Sequence, residues 1–484
     1  MSDEPDLLSE DSGAGYQVRS APLASPVSEM SNPEEGSKTA AQLSKPSVAV
    51  GFGDLFSENV AAKIWRVAMA YIEENPGFET YPEYILPLGA ADGRYLSKPA
   101  TFWTCGFFPA SLYCLLERLR RHPEGIPRPP QLSASGFHDQ LLELCRTWSA
   151  PLHAQAMRTN SHDLGFIMRS LRMDWELNGT EASLRSCIIA AKSLATRYDD
   201  RVGAIRSWDK AVSHSYEIVD KEKNFLIIID SMCNMDLLFY AAHNSPNPKL
   251  ASIATRHAHT VLRTIVRADS STYHVANLDP VNNGAVKWQM THQGYSDSST
   301  WTRGQAWAIL GFAQTYMWTK EATFLSAAQR LADYFLRRLA ESAAQSNRNV
   351  PVWDFDAPPG EDMDANGQPL RDTSAGMIAA NGLLLLHQAL QGVKSGRGSV
   401  YLEAALLIVS DTIAYSVDRT DKASFFVDKG GKARVAPGTW DAILKHSTAN
   451  NNAYALMRYR DLGLVYADYY FLEFGNKLLR MGFV

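Results

Sequence analysis

The chain has 484 residues, with 47 Lys and Arg against 52 Asp and Glu, a formal net charge of −5. Apolar residues make up 45% and charged residues 20%, which excludes a mainly disordered chain, a collagen and a long coiled coil. Residues 1–50 carry eight acids and three bases, leaving 44 of each sign in 51–484; so neutral a body excludes the basic excess of a nucleic-acid binder.

The N-terminus, MSDEPDLLSEDSG, is acidic and polar and lacks the basic start and apolar stretch of a signal peptide. Residues 1–50 hold ten Ser, several Pro and one aromatic, Tyr16. They cannot bury much apolar surface, and a disordered acidic, Ser/Pro-rich tail is predicted. From Gly51 large residues recur to Val484 with no second linker of that kind, so 51–484 reads as one domain. Apolar residues at helical spacing predict helices over 60–74, 182–198, 231–243, 252–266, 306–318, 321–339, 375–390, 401–417 and 467–481. Many are rich in Ala and Leu on more than one face, which predicts helices packed in layers. Strand alternation is scarce and no fixed-period repeat occurs. An all-α toroid or barrel follows, with chemically rich loops at 199–217, 269–302 and 350–372. Its apolar runs, such as 225–229 and 383–386, are too short to span a bilayer. Five dispersed cysteines without a C-x-x-C pair exclude a disulfide scaffold and an obvious zinc cluster. A soluble, cytoplasmic protein is expected.

Four segments carry chemistry. In N-S-H-D-L-G-F at 160–166, Asp163 sits beside His and Gly at a helix entry, where it or Ser161 could equally be a cap. In F-L-I-I-I-D at 225–230, five apolar residues run into Asp230. A carboxyl so flanked is open to desolvation, which raises its pKa and suits a general acid, although a capping Asp fits as well. Asn234 follows one helical turn later. In T-H-Q-G-Y-S-D-S-S-T-W-T-R-G-Q-A-W at 291–307, two indoles, a guanidinium and an amide fall within 17 residues. Indoles pack on sugar rings and Arg grips carboxylates, so an acidic sugar is suggested; at least one indole is equally expected as core. I-R-S-W-D at 205–209 adds a weak Trp–acid pair. His257 and His259 are two apart and make a poor metal pair on a helix. D-T-S at 372–374 reads as a helix cap. P-loop, H-E-x-x-H and G-x-S-x-G motifs are missing, which removes nucleotide, zinc-protease and serine-hydrolase readings.

Taken together, the sequence resembles the unsaturated glucuronyl hydrolases, glycoside hydrolase family 88. The matching blocks are H-D-L-G-F at 162–166, I-R-S-W-D at 205–209 and I-I-D at 228–230 with Asn234. They continue with Q-G-Y-S-D and S-T-W-x-R-G-Q-A-W within 293–307, D-T-S-A at 372–375 and A-D-Y-Y-F-L-E at 467–473. Their order and spacing fit roughly 100–475. The resemblance implies an (α/α)6 barrel and an unusual reaction. Polysaccharide lyases leave a C4=C5 double bond in the terminal uronyl sugar, and the family hydrates that vinyl ether. Protonation at C4 and addition of water at C5 give a hemiketal that opens and releases the neighbouring sugar.

By the same resemblance, Asp230 is the general acid and Asp163 the second carboxylate, held to sugar hydroxyls and raising the pKa of Asp230 by repulsion. Gln293 places water or the ring, and His274 lies near the double bond. Trp103, Trp301 and Trp307 form stacking walls, and Arg303 engages the uronate carboxylate. No metal or organic cofactor is implied, because acid catalysis by carboxylates needs none. The expected partner is an unsaturated uronyl oligosaccharide, with no nucleic acid and no membrane, and the protein a monomer or homodimer. Two features depart from the family: the tail, and the region of Lys445-His446-Ser447-Thr448, which lacks the Ser/Lys cluster that some members use for substrate sulfate. Alternatives are an unsaturated rhamnogalacturonyl hydrolase on pectin fragments, an epimerase or isomerase on the same barrel, and a non-catalytic carbohydrate-binding relative. The Asp-centred blocks outweigh any His pair, which disfavours the epimerase. The presence of both acids disfavours the binding protein.

Overall fold

Apolar stripes dictate where this chain turns helical and which face each helix buries. The protein is represented by a computed structural model that describes residues 51–484 except 76, 79, 88–91, 342–345, 361 and 365. All of these belong to the larger of two compact units, Ser37–Val484. The predicted tail, 1–50, lies outside the described residues.

Among the described residues there are thirteen α-helices. They are α1 (Glu58–Glu74), α2 (Phe107–Arg121), α3 (Ala134–Ser149), α4 (Leu164–Ile167), α5 (Arg169–Asn178), α6 (Glu181–Ala195) and α7 (Ser231–His243). There follow α8 (Pro248–Thr264), α9 (Thr302–Thr319), α10 (Ala322–Ala340), α11 (Thr373–Gly392), α12 (Gly398–Ser416) and α13 (Val465–Arg480). They fall into two kinds. On α8 the buried stripe is Leu250, Ile253, Ala254, His257, Ala258 and Val261, one face of a helix. On α9 every residue from Thr302 to Ala313 is buried. A one-faced helix belongs on the outside of a layer, and a helix buried all round belongs inside it.

The packing follows that division. α2, the α4–α5 pair, α7, α9, α11 and α13 each pack on the next, and α13 returns to α2. Outside them, α3, α6, α8, α10 and α12 lie on α2, α5, α7, α9 and α11 in turn, with α1 against α2 and α3. This is the (α/α)6 barrel. Each Leu or Ile that an outer helix buries contributes about 1.5–3 kcal/mol. The inner helices approach closely because α9 carries Gly311. A Cβ there would lie 2.4 Å from the Met232 Cβ and 3.0 Å from the Met232 carbonyl carbon on α7.

Three differences from the sequence expectation have physical causes. α2 was not among the predicted helices; it buries Ser111, Glu117 and Arg118 along with its apolar residues, so its polar positions do not mark an exposed face. The stretch 269–302 is not wholly loop. It contains strands Val275–Asp279 and Ala285–Met290, which join Phe225–Ile228 in a three-stranded antiparallel sheet. Asn277 hid the first of these, because a buried Asn breaks the apolar pattern; its amide accepts from Phe225 N and donates to Asn224. Lastly, α12 is long and apolar enough by composition to cross a membrane, contrary to the expectation of short apolar runs. Tyr401, Ala405, Ile408, Val409 and Thr412 are nevertheless buried along one face, the pattern of the outer helix of a core hairpin.

Gly311→Ala is predicted to lower unfolding free energy by about 1–3 kcal/mol, because the added methyl overpacks the α7–α9 contact. Urea unfolding checks this; an unchanged midpoint would show that the two helices are not in tight register.

Candidate active site

Asp230 stands between the strand Phe225–Ile228 and the first turn of α7. The register of the sheet puts His274 beside it. Ile228 pairs with Val275, and Ile229 N donates to His274 O at 3.1 Å. Only 17% of the Asp230 side chain is exposed, and its Oδ1 is buried without a hydrogen-bond partner. Burial first, and then the charge of Asp163, push the Asp230 carboxyl well above the usual carboxylate range. Arg303 and the backbone N–H groups of Asp230 and Ser231 oppose the rise.

Asp163 reaches the same place from the other side of the ring. It occupies the residue before α4, but its carboxylate does not cap the helix; Ser161 Oγ donates to its Oδ2 at 2.7 Å. The capping alternative therefore does not hold for Asp163, whereas Ser161 Oγ accepts from Asp163 N at 3.1 Å and closes the turn that leads into α4. Gly165 lets α4 sit directly on α7, since a Cβ there would lie 2.6 Å from Asn234 Cα. Asn234 locks that junction. Its Oδ1 accepts from Phe166 N at 3.0 Å and its Nδ2 donates to Asp230 O at 3.5 Å. The H-D-L-G-F block and the Asp230/Asn234 pair are thus one structural unit. His162 is buried within it. Its Nε2 lies 3.2 Å from Asp163 Oδ1 and 3.7 Å from Asp230 Oδ1.

His274 is held as a neutral donor. Its Nδ1 accepts from His292 N at 3.1 Å, so the ring proton resides on Nε2, which is buried with no partner among the described residues. Burial holds its pKa well below the ordinary histidine value, with His292 and Arg303 adding to the effect. The ring lies 4.3 Å from the Trp301 ring, whose Nε1–H is likewise without a partner. Trp208 meets His274 and His292 edge-on, and Tyr216 Oη lies 2.6 Å from His292 Nδ1. Gln293 directly follows the His292 contact; it is half-buried and makes no side-chain hydrogen bond to the described residues. Trp103 is half-buried and packs on Phe166, Phe107 and Tyr466.

Of the expected roles, that of Arg303 is narrowed and that of Trp307 is corrected. The Arg303 guanidinium is 2% exposed. Its Nη1 donates to Asp372 and, at 2.6 Å, to Thr448 O, while Nη2 donates to Ala449 O. Both Nη1 hydrogens and one on Nη2 are therefore taken by the scaffold, which leaves Nε–H and the second Nη2–H as the pair that could meet a uronate carboxylate. Arg303 also stacks its guanidinium 4.6 Å from the Trp301 ring and acts on Asp230 through its charge. Trp307 is 1% exposed, packed on Phe166 and Tyr470; it is core rather than an open wall. Asp372 caps α11 through Ser374 N and Ala375 N, as its sequence suggests.

The remaining candidates have structural roles. His257 accepts from Ile205 N and faces Ser231 Oγ at 2.8 Å, whereas His259 faces Glu321 at 3.0 Å. Lys445 pairs with Asp418 at 2.6 Å, and Thr448 Oγ1 donates to Arg371 O, so this segment is scaffold. Sequence reasoning gave no separate role to His162, Tyr216, His292 or Tyr466. The H of H-D-L-G-F was the signal for the first; the others sit in no pattern that marks them.

Asn234→Ala is predicted to cost about 1–3 kcal/mol, because it leaves the buried Phe166 N–H without its acceptor. Thermal unfolding reads the loss, and kcat should fall with it as Asp163 loses its register. A stable but inactive variant would place Asn234 in the chemistry instead.

No family model matches the chain. The chain is 31% identical over 379 residues to the unsaturated glucuronyl hydrolase of Formosa agariphila, covering 78% of this chain and 79% of that protein. It is 30% identical over 341 residues to the unsaturated glucuronyl hydrolase of Bacillus sp. strain GL1, covering 70% and 81%. The crystal structure of an unsaturated glucuronyl hydrolase specific for heparin superposes with a TM-score of 0.66 at 26% identity, over 90% of this chain and 99% of that one. With the barrel and the Asp163–Asp230 site in place, these likenesses show that the chain belongs to the unsaturated glucuronyl hydrolase family.

Proposed function

We propose that the protein hydrates the C4=C5 bond of the unsaturated uronyl sugar at the non-reducing end of oligosaccharides made by polysaccharide lyases. One observation carries the reading. Asp230 is a recessed carboxyl beside a second carboxyl, and its burial favours the protonated form. A vinyl ether needs a proton donor first, and a carboxyl whose surroundings favour its protonated form is such a donor.

The chemistry then runs through named groups. Asp230 gives its proton to C4, and positive charge develops at C5, shared with the ring oxygen. Asp163 and the newly ionised Asp230 stabilise that charge. Water adds at C5 and returns a proton to Asp230, which regenerates the acid. The hemiketal opens to a C5 ketone, the C1 hemiacetal collapses, and the neighbouring sugar leaves with its own oxygen. The Nε2–H of His274 and the Nε1–H of Trp301 are neutral donors for ligand oxygens, and Gln293 supplies an amide beside them. Trp103 offers a ring face to the sugar. The carboxylate-separation rule for inverting and retaining glycosidases does not apply, because C1 is not attacked by an external nucleophile. We place the activity in the cytoplasm, which suits five free and buried cysteines.

Absorbance of the conjugated double bond is the direct assay. Wild type is predicted to bleach unsaturated glucuronyl disaccharides, and Asp230→Asn to lose about 10²–10⁴-fold in kcat. Near-normal turnover by Asp230→Asn, or faster bleaching of rhamnogalacturonyl substrates, would contradict the assignment. The pH dependence has a fixed sign. The acid must be protonated, so kcat/KM falls as pH rises through the elevated Asp230 value. The raised folded-state pKa also means that stability is lost as pH rises from the unfolded carboxyl range through the folded value. Asp230→Asn therefore gains thermal stability relative to wild type at pH 8 but not at pH 4, a comparison that calorimetry makes directly.

A further inference from the structure

The catalytic reading leaves one buried group without a task. His162 is fully buried, and neither ring nitrogen has an aligned hydrogen-bond partner among the described residues. Asp230 Oδ1 is buried without an aligned partner as well. Unsatisfied buried donors and acceptors are uncommon and call for a reason. Here they face one another: His162 Nε2 stands 3.2 Å from Asp163 Oδ1 and 3.7 Å from Asp230 Oδ1. The nearer oxygen belongs to Asp163, the carboxyl that acts on Asp230 as a negative charge and so as an acceptor, and this assigns the proton to Nε2.

We propose that His162 is a positioning residue whose Nε2–H is shared between Asp163 and Asp230 and follows the negative charge between them during the reaction. The inference rests on the function proposed above. In the resting site the N–H leans to the nearer Asp163. Once Asp230 has given its proton to C4, both carboxylates carry charge, and the same N–H lies between them. Small rotation of the ring then aligns it with Asp230. No proton leaves His162 at any step, so the balance of the reaction is unchanged.

The surroundings fit a neutral donor. The charged and titratable groups that face the ring are Asp163 on its own segment, Asp230 at the head of α7, Arg197 beyond α6 and His257 on α8. Arg197 is fixed by Thr159 O, Arg206 O and Asp209. Burial lowers the pKa of His162 and Arg197 lowers it further, against the pull of Asp163. Burial also holds His257 neutral, down to about 3. On the far side of the pair, Arg303 faces Asp230 and the buried thiol of Cys105 faces Asp163.

Two isosteres test the idea. A glutamine amide nitrogen reaches the position of Nε2, and an asparagine amide nitrogen reaches only that of Nδ1. His162→Asn is expected to lower kcat about tenfold or more, with KM within about twofold, as for loss of a hydrogen bond to a charged group. Its acid limb of kcat/KM should move up by about one pH unit, because the pair loses the donor that stabilises its first negative charge. His162→Gln is expected to keep the wild-type limb. Carboxyl-carbon NMR titration of the pair gives the same comparison without substrate. If wild type turns over no unsaturated uronyl disaccharide, the proposed function fails, and the titration still decides the role of His162. The proposal is overturned if the two variants shift the pair equally, if neither shifts it, or if the effect of His162→Asn is confined to KM or thermal stability.

Discussion

A carboxyl group that cannot be fully solvated or fully hydrogen-bonded is the constraint around which this site is built. Asp230 could not be held so by a loop. The sheet strand before it and α7 after it fix its backbone, and the inner helices leave only 17% of its side chain exposed. The unsatisfied Oδ1 and the neighbouring Asp163 then favour the protonated state. An ion pair at that point would reverse the effect. The structure avoids one by binding the Arg303 guanidinium to Asp372, Thr448 and Ala449, so that its charge tempers Asp230 from a distance.

The barrel serves that arrangement through close backbone approach. Gly165 brings the start of α4 onto α7, and Gly311 brings α9 onto the same helix. The first contact sets Asp163 relative to Asp230. The second seats the helix that carries Arg303 and follows Trp301. Asn234 ties the junction with bonds to Phe166 N and Asp230 O. Interiors at crystal-like density transmit such positions rigidly, which is how the helical hairpins set one carboxyl against the other.

Much of this was legible in the sequence. Helices with a single apolar stripe, such as α8 and α10, show their boundaries to within a few residues, and the barrel follows from their number and texture. Asp230 was legible because five apolar residues precede it, a direct sign of desolvation. The same signal misleads where burial is complete. α2 buries Ser111, Glu117 and Arg118 with its apolar residues, and Trp307 in the W-x-R-G-Q-A-W block looks like a sugar platform until Phe166 and Tyr470 are seen against it. The fixing of Arg303 was hidden for a related cause. Residue type gives the chemistry a guanidinium can do, but Asp372, Thr448 and Ala449, which take three of its N–H groups, arrive from 69 to 146 residues away. His162 stood in plain view beside Asp163, and only the fold shows that its other neighbour is Asp230.

The central claim is that the enzyme protonates C4 of a vinyl ether. Proton NMR of the reaction in D2O tests it most directly. The account predicts that the released 4-deoxy sugar first appears with a single deuterium on one face of C4, with loss of the C4=C5 signal at the same rate as release of the neighbouring sugar. Release of that sugar with the double bond intact and C4 undeuterated would mean attack at the glycosidic carbon, and the role given to Asp230 would be wrong.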